Sequence, residues 1–128
     1  MKGFITNIEK ETLENTDYRR VLYTAKNSQL VLMSIEPGDE IGEETHELDQ
    51  FIRVEAGNAV VTLNGDKQDL PADSAVVIPA GVLHNVQNTG DTALKLYSVY
   101  APPEHKDQTI HETKADEQEE HFDGVTTE

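Results

Sequence analysis

Short runs of apolar and β-branched residues, separated by turn-forming residues, recur along most of this chain. Runs of roughly four to eight such residues with Gly, Pro or Asn at their ends are typical of β-strands. The pattern predicts strands over residues 4–8, 18–24, 29–35, 50–55, 58–63, 75–78, 84–87 and 93–100. Strands this short, with turns this regular, favour an antiparallel sandwich or barrel over alternating β and α units.

The turn residues also indicate where strands end and which neighbours pair. Asn64-Gly65, between two predicted strands, is a strong hairpin signal. Pro37-Gly38 ends one strand, and the Pro-Ala-Gly sequence at 79–81 ends another. Residues 9–14 have the composition of a single helical turn. The chain is therefore predicted to be all-β with very little helix.

Length and composition indicate one domain followed by a different kind of segment. A chain of 128 residues fits a single compact domain, which we place at residues 1–103. Residues 104–128 are acidic and have few aliphatic side chains, so they are predicted to form an acidic C-terminal tail, either a short helix or disordered. A tail folded over the barrel mouth is a further alternative. Its histidines, His105, His111 and His121, are interpreted as surface residues in preference to a second metal site.

The net charge of the chain limits the kinds of macromolecule that it is expected to bind. The chain has 10 basic and 25 acidic side chains and a net charge of −15, which disfavours binding to nucleic acid or anionic membranes. It has no cysteine, so disulfides and thiolate metal sites are excluded. The N-terminus lacks a secretory pattern, and no apolar run approaches the roughly 20 residues of a membrane span. We therefore expect a soluble cytoplasmic protein.

Four polar side chains have a spacing that suits a shared metal ion. Residues two apart in a strand point to the same face, so Glu44 and His46 would face the same way, and Gln50 keeps the same parity. His84 follows the turn at 79–81 and comes from a later strand. Two imidazoles and two side-chain oxygens suit a divalent transition metal such as iron, manganese, nickel, copper or zinc.

The segment from Gly38 to Gly57 resembles the first signature motif of the cupin superfamily. That motif reads glycine, five residues, histidine, one residue, histidine, three or four residues, glutamate, six residues, glycine. Here Glu44 stands in the first histidine position, His46 in the second, and Gln50 in the glutamate position. The spacing is kept, and two of the three ligand types differ.

The segment from residue 73 to 88 resembles the second cupin motif. That motif reads glycine, five residues, proline, one residue, glycine, two residues, histidine, three residues, asparagine. Asp73 replaces the first glycine, while Pro79, Gly81, His84 and Asn88 match.

The resemblance implies a double-stranded β-helix, or jelly-roll barrel, with short helical turns at the termini. It also implies the ligand set Glu44, His46, Gln50 and His84. Glu44 adds the negative charge that Gln50 lacks, so the net ligand charge equals that of three histidines and one glutamate. Two alternatives are a vestigial cavity, in which these side chains bond each other, and a register shift that uses other ligands. Those other ligands would be Glu43, Glu47 or Asp49.

Small cupins of this kind include dioxygenases, isomerases and decarboxylases, and many resemble mannose-6-phosphate isomerase. The resemblance therefore implies a metalloenzyme, of isomerase or dioxygenase type, acting on a small carbonyl or sugar-like substrate in the barrel mouth. Glu44 is a candidate general base. A phosphosugar is less attractive, because residues 36–49 hold seven acidic side chains and no basic one.

Two tyrosines of the last predicted strand, Tyr97 and Tyr100, either pack in the core or line the pocket. A non-catalytic cupin that binds or senses a small ligand is the alternative function, and a partner-binding role through the acidic tail is a third. Because many cupins associate through sheet edges, the resemblance also implies a homodimer.

Overall fold

The computed structural model describes residues 2–128, which form nine strands, one α-helix and one 3-10 turn. The helix α1 spans Ile8–Glu14, and the 3-10 turn spans Lys114–Asp116. The strands are β1 (Arg19–Thr24), β2 (Gln29–Ile35), β3 (Asp49–Ala56), β4 (Asn58–Leu63), β5 (Asp66–Pro71), β6 (Ala75–Ile78), β7 (His84–Asn88), β8 (Leu94–Ala101) and β9 (Ile110–His111). Neither helical segment of these residues is long and apolar enough to cross a membrane.

The strands form two antiparallel sheets. The larger has the order β6-β3-β8-β2-β1-β9, and the smaller has the order β5-β4-β7. Alternate residues of each long strand face the interior, as along β8, where Leu94 and Leu96 are fully buried. They pack with Ile52 of β3 and with Val61 and Val86 of the smaller sheet. This arrangement confirms the predicted all-β jelly-roll or double-stranded β-helix fold.

The β4–β5 hairpin forms at the predicted turn. Asn64 and Gly65 both have positive φ, 48° and 85°, as a two-residue hairpin turn requires. The second strand of this hairpin was not predicted, because five of its six residues are exposed and only Leu70 faces the core. A strand with so few buried side chains has no apolar run in the sequence.

The N-terminus differs from the prediction. Residues 4–7 form no strand, so the strand predicted over residues 4–8 is wrong. The Asn7 side chain accepts a hydrogen bond from the Lys10 backbone N–H and begins α1, which confirms the helical turn predicted at 9–14. Ile5 is exposed and Phe4 stacks on Tyr23, so the apolar residues that suggested a strand do not enter the core.

The C-terminal segment runs against the barrel. Its strand β9 pairs with β1 and extends the larger sheet. The Lys114 ammonium group donates to the Asp39 carboxylate at 3.0 Å, and Thr127 N–H donates to the Thr24 carbonyl at 2.9 Å. Residues 117–121 then lie over the barrel mouth, where they line a cavity with barrel residues. The boundary at residue 103 stays a prediction, while the segment beyond it contributes to both the sheet and the cavity.

Candidate metal centre

Backbone pairing brings the two motif segments together. Glu44 and His84 exchange two backbone hydrogen bonds, each 2.9 Å long. A second isolated bridge joins Glu40 to Gln87, so the segment before β3 runs alongside β7 without forming a continuous strand. Residues paired directly across such a bridge extend their side chains on the same face. The backbone pairing therefore makes the side chains of Glu44 and His84 neighbours.

The turn of the second motif also positions His46. The Gly81 N–H donates to the His46 carbonyl at 2.8 Å, and Gly81 has a φ of +84°. The Ala80 N–H donates to the Asp49 carboxylate at 3.0 Å. A residue with a Cβ rarely adopts such a φ, so a glycine here fixes the loop that carries His46.

Three side chains of the predicted ligand set converge. One ligand atom from each of Glu44, His46 and His84 lies within 4.8 Å of the others. The His46 Nε2 is 3.6 Å from a Glu44 carboxylate oxygen, and the two imidazole centroids are 5.2 Å apart. Among residues 2–128 this is the one such group of histidine and carboxylate side chains, and it includes no histidine of the C-terminal segment.

The His84 ring has one nitrogen committed to the backbone. Its Nδ1 is 2.9 Å from the Val82 carbonyl oxygen. A carbonyl only accepts, so Nδ1 carries a proton, and in a neutral imidazole with that tautomer the lone pair is on Nε2. Metal-bound histidines are commonly oriented by such a bond from the other ring nitrogen.

Burial shifts the side chains of His46 and Glu44 toward their neutral forms. Desolvation lowers the pKa of His46, opposed by the nearby Glu104 carboxylate. Desolvation also raises the pKa of Glu44, opposed by the charge of Arg19. A neutral imidazole has the free lone pair that a metal requires, and a carboxylate of raised pKa is a stronger proton acceptor.

Gln50 lies on the inner face of β3, as its parity predicted. Its amide Nε2 donates to the Ser98 hydroxyl at 3.3 Å. Its Oε1 is buried and has no hydrogen-bond partner. Gln50 is paired across the sheet with Tyr100, whose ring centroid lies 6.1 Å from that of His46. An unpaired buried oxygen is costly, and coordination of a cation would satisfy it. The residues present therefore fit a bound metal.

The two tyrosines occupy different faces of β8. Tyr97 lies on the outer face and packs near Phe51, with ring centroids 6.2 Å apart. Tyr100 is buried, and its ring makes edge contacts with His46 and His105. Neither residue lines the cavity, and both positions suit packing.

The cavity at the barrel mouth has a volume of about 750 Å³. Barrel residues, including Glu44 and His46, form one side, and residues 117–121 of the C-terminal segment form the other. Seven lining residues are glutamates, and Arg19 is the one arginine or lysine among the lining residues that the structure describes. The volume suits a small organic molecule.

Sequence reasoning missed five charged residues at this cavity: Arg19, Glu104, Glu117, Glu119 and Glu120. The Glu104 carboxylate lies 3.7 Å from His46 Nδ1 and accepts a hydrogen bond from His121. Arg19 had one available signal, because two consecutive arginines in a strand place one of them on the inner face. The glutamates had none, since acidic residues are common throughout the chain.

Comparison with known proteins agrees with this architecture. Residues 31–100 match the cupin domain family. The uncharacterised protein YrkC of Bacillus subtilis is 48% identical over 122 residues, covering 90% of this chain and 66% of its own length. An uncharacterised protein of Acanthamoeba polyphaga mimivirus is 43% identical over 108 residues, covering 80% of this chain and 67% of its own. The chain thus spans about two thirds of the length of these relatives.

A solved structure is similar over nearly the whole chain. The crystal structure of BH2720 from Bacillus halodurans is 48% identical, covers 90% of this chain and 92% of its own, and has a TM-score of 0.88. The family match covers more than half of the chain, including β3 to β7, most of β2 and β8, and all four predicted ligands. The chain therefore belongs to the cupin family.

Proposed function

We propose that this chain is a metal-dependent enzyme that acts on a small carbonyl or sugar-like compound in the cavity at the barrel mouth. The observation that carries the proposal is the convergence of Glu44, His46 and His84 ligand atoms within 4.8 Å of one another, with Glu44 and His46 lining that cavity. The unpaired Oε1 of Gln50 supports a fourth ligand. A divalent iron, manganese, nickel, copper or zinc ion suits this donor set.

The bound ion would supply Lewis-acid polarisation of a substrate oxygen. The protein's own residues divide the remaining work. His84 is held in one tautomer by Val82, and His46 is held by Gly81. A Glu44 carboxylate that is not firmly coordinated to the ion would accept a proton from an acidic carbon of the substrate, and burial raises its pKa. This assignment favours proton transfer of the isomerase type, with dioxygenase chemistry as the other possibility for a redox-active metal.

The charge of the cavity limits the class of substrate that can bind there. Seven glutamates line it, so a phosphate dianion would meet strong repulsion and find one guanidinium in place of the usual basic clamp. A neutral sugar or a small carbonyl compound suits this lining better than a phosphosugar.

The first experiment is elemental analysis of untagged protein purified without chelator. We expect near-stoichiometric transition metal in the wild type and its loss in the His46→Ala His84→Ala double variant. A His121→Ala variant is the matched control, because it removes an imidazole that lines the same cavity but lies outside the ligand group. Absence of metal in the wild type, even after incubation with each candidate ion, would overturn the proposal.

A metal-loaded protein then allows a test for turnover. Small carbonyl compounds incubated in D₂O would exchange their acidic C–H hydrogens, and proton NMR would follow the exchange. We expect exchange that needs the metal and that falls in a Glu44→Gln variant that still holds it. Full exchange in that variant would remove Glu44 from the role of base.

A non-catalytic cupin that binds or senses a small ligand is the alternative. Gln50 favours it, because a neutral amide oxygen is a weaker metal donor than a carboxylate. Tight ligand binding that needs no metal and gives no turnover would support this alternative.

We also propose, from the sequence, a cytoplasmic homodimer that binds neither nucleic acid nor membranes. The net charge of −15 supports the absence of polyanionic partners. Light scattering coupled to size-exclusion chromatography at physiological salt would measure the oligomeric state, and a monomer would contradict the proposal.

A further inference from the structure

Arg19 lies at the cavity yet is almost completely buried. Its side chain is 5% exposed, and it belongs to β1, on the inner side of the barrel. It lines the same cavity as Glu44 and His46. A buried guanidinium ordinarily has its N–H groups paired, because an unpaired charged donor is costly to desolvate.

The contacts of Arg19 leave part of its hydrogen-bonding capacity unused. Its Nη1 donates to a Glu117 carboxylate oxygen at 2.6 Å and lies 3.3 Å from His111 Nδ1. Its Cζ lies 5.3 Å from the centre of the Tyr18 ring. Its Nε is buried and has no hydrogen-bond partner. Since a guanidinium has five N–H donors in a planar fork, this one has room for a second carboxylate oxygen.

Glu117 is the more exposed member of the Arg19–Glu117 pair. Glu117 follows the 3-10 turn in the C-terminal segment, and its side chain is 35% exposed. It reaches Arg19 with one oxygen, whereas a carboxylate free of the chain can approach a guanidinium with both. The barrel thus supplies a buried cation, and the segment over the mouth supplies a partly exposed anion.

We propose that Arg19 recognises a carboxylate group of the substrate, and that Glu117 occupies this position until a ligand carboxylate displaces it. Recognition by Arg19 adds a carboxylate group to the small carbonyl compound of the proposed function. This role of Arg19 depends on that function only for the reaction at the metal. One guanidinium balances one carboxylate, so a monocarboxylate suits this site and a phosphate dianion does not. Release of Glu117 would also remove one negative charge from the cavity as the ligand enters.

The test is an acetate titration of metal-free protein, with acetamide as the neutral probe of the same shape. Isotope-labelled protein at constant ionic strength allows NMR to follow the Arg19 Nε–H signal directly. We expect acetate, and not acetamide, to shift that signal. In a Glu117→Gln variant we expect the apparent Kd for acetate to fall about tenfold, as it would if the internal pair is closed about nine-tenths of the time.

Glu120→Gln is the matched control, because it removes the same charge from the same segment and cavity but leaves the Arg19–Glu117 pair intact. It should change the Kd by about twofold or less, through long-range charge that salt screens. An Arg19→Lys variant, which keeps the charge and loses the fork, should lose most of the affinity.

Equal tightening in both glutamine variants, or no shift of the Arg19 signal in Glu117→Gln, would overturn the inference. The Glu117 variant changes a partly exposed residue, so its result does not depend on whether the Arg19 variant folds. The titration contains no metal. A failed metal analysis with successful acetate binding would therefore refute the metalloenzyme and leave a carboxylate-binding protein.

Discussion

The amide nitrogen of Gln50 donates to the Ser98 hydroxyl on the neighbouring strand, while the Gln50 Oε1 remains buried without a partner. In this arrangement the amide nitrogen points to Ser98 and the unpaired end is the oxygen, which is the end that a metal can bind. This relation makes Gln50 the residue whose replacement tests the ligand set most directly.

A Gln50→Glu variant should have opposite effects with and without metal. Without metal, an unpaired buried carboxylate at this position of β3 should lower the free energy of unfolding by about 3 kcal/mol. With metal, the added ligand charge should tighten binding by about tenfold. Chemical denaturation in EDTA and a competition titration with a chromophoric chelator measure the two effects.

Ser98→Ala is the control for Gln50→Glu, since it removes the hydrogen bond to Gln50 and leaves the charge unchanged. A Gln50→Glu variant whose stability is unchanged in EDTA and whose metal affinity is unchanged would place Gln50 outside the site.

Stability should depend on pH through His105. Burial lowers the pKa of this imidazole to about 3, against about 6.5 in the unfolded chain. Between these two values the unfolded state binds the extra proton, so the folded state loses stability as pH falls, by up to about 1.4 kcal/mol per pH unit. A His105→Asn variant should show a shallower slope of unfolding free energy between pH 6.5 and pH 4.

A His121→Asn variant is the comparison for His105→Asn, since it removes an exposed imidazole from the same segment. If the wild type and His105→Asn have parallel stability profiles over this range, the His105 ring is not held in its neutral form by burial.

The second-motif asparagine should be important for stability. Asn88 donates to the carbonyls of Ile35 and Thr92, each at 2.9 Å, and accepts from the Gly90 N–H. Asn88→Asp keeps the shape and the acceptor but removes both donors and places a carboxylate against two carbonyl oxygens. We expect a loss of about 3 kcal/mol or more in unfolding free energy. The exposed Asn58→Asp adds the same charge at the start of β4 and should cost far less.

Two glycines with positive φ should respond differently to alanine. At Gly57, with a φ of +92°, an added Cβ would lie 3.1 Å from the Ala93 carbonyl oxygen and from Leu94 Cα. At Gly65, with a φ of +85°, it would meet nothing within 4 Å. We expect Gly65→Ala to cost about 1 kcal/mol from the left-handed backbone alone, and Gly57→Ala about 3 kcal/mol because overpacking adds to it. Equal midpoints in urea would contradict this difference.

Local pattern was sufficient for most of the barrel. Each strand with an alternating buried face, such as β3 or β8, has apolar residues every second position, and that periodicity is visible in the sequence. The exposed β5 has no such pattern. At the N-terminus, Asn7 begins a helix, and the apolar residues before it stay outside the core. Both errors occur where burial, which the periodicity reports, is absent.

The candidate site was predictable only in the part that belongs to the motifs. Glu44, His46 and His84 come together because two segments pair through backbone bonds at Glu44 and His84 and at Gly81. These backbone pairings go together with the residue spacing of the two motifs, so the sequence contains a signal for them. Arg19 and Glu117, by contrast, are 98 positions apart and meet only because the C-terminal segment crosses the barrel mouth. Polar composition in that segment gave no information about its path.

Because residues 117–121 cross the barrel mouth, different residues of this protein select the ligand and pack the core. In many enzymes one set of residues performs both tasks. Two of the candidate ligands, Gln50 and His84, lie in strands β3 and β7, whose other residues form part of the core, so these strands tolerate few changes. Residues 117–120 are exposed and contribute no core side chain. A directed-evolution library confined to these positions should therefore alter ligand preference widely while melting temperatures stay within a few degrees of the parent. Substitutions in residues 117–120 alone would then be enough to change the ligand selectivity of this barrel.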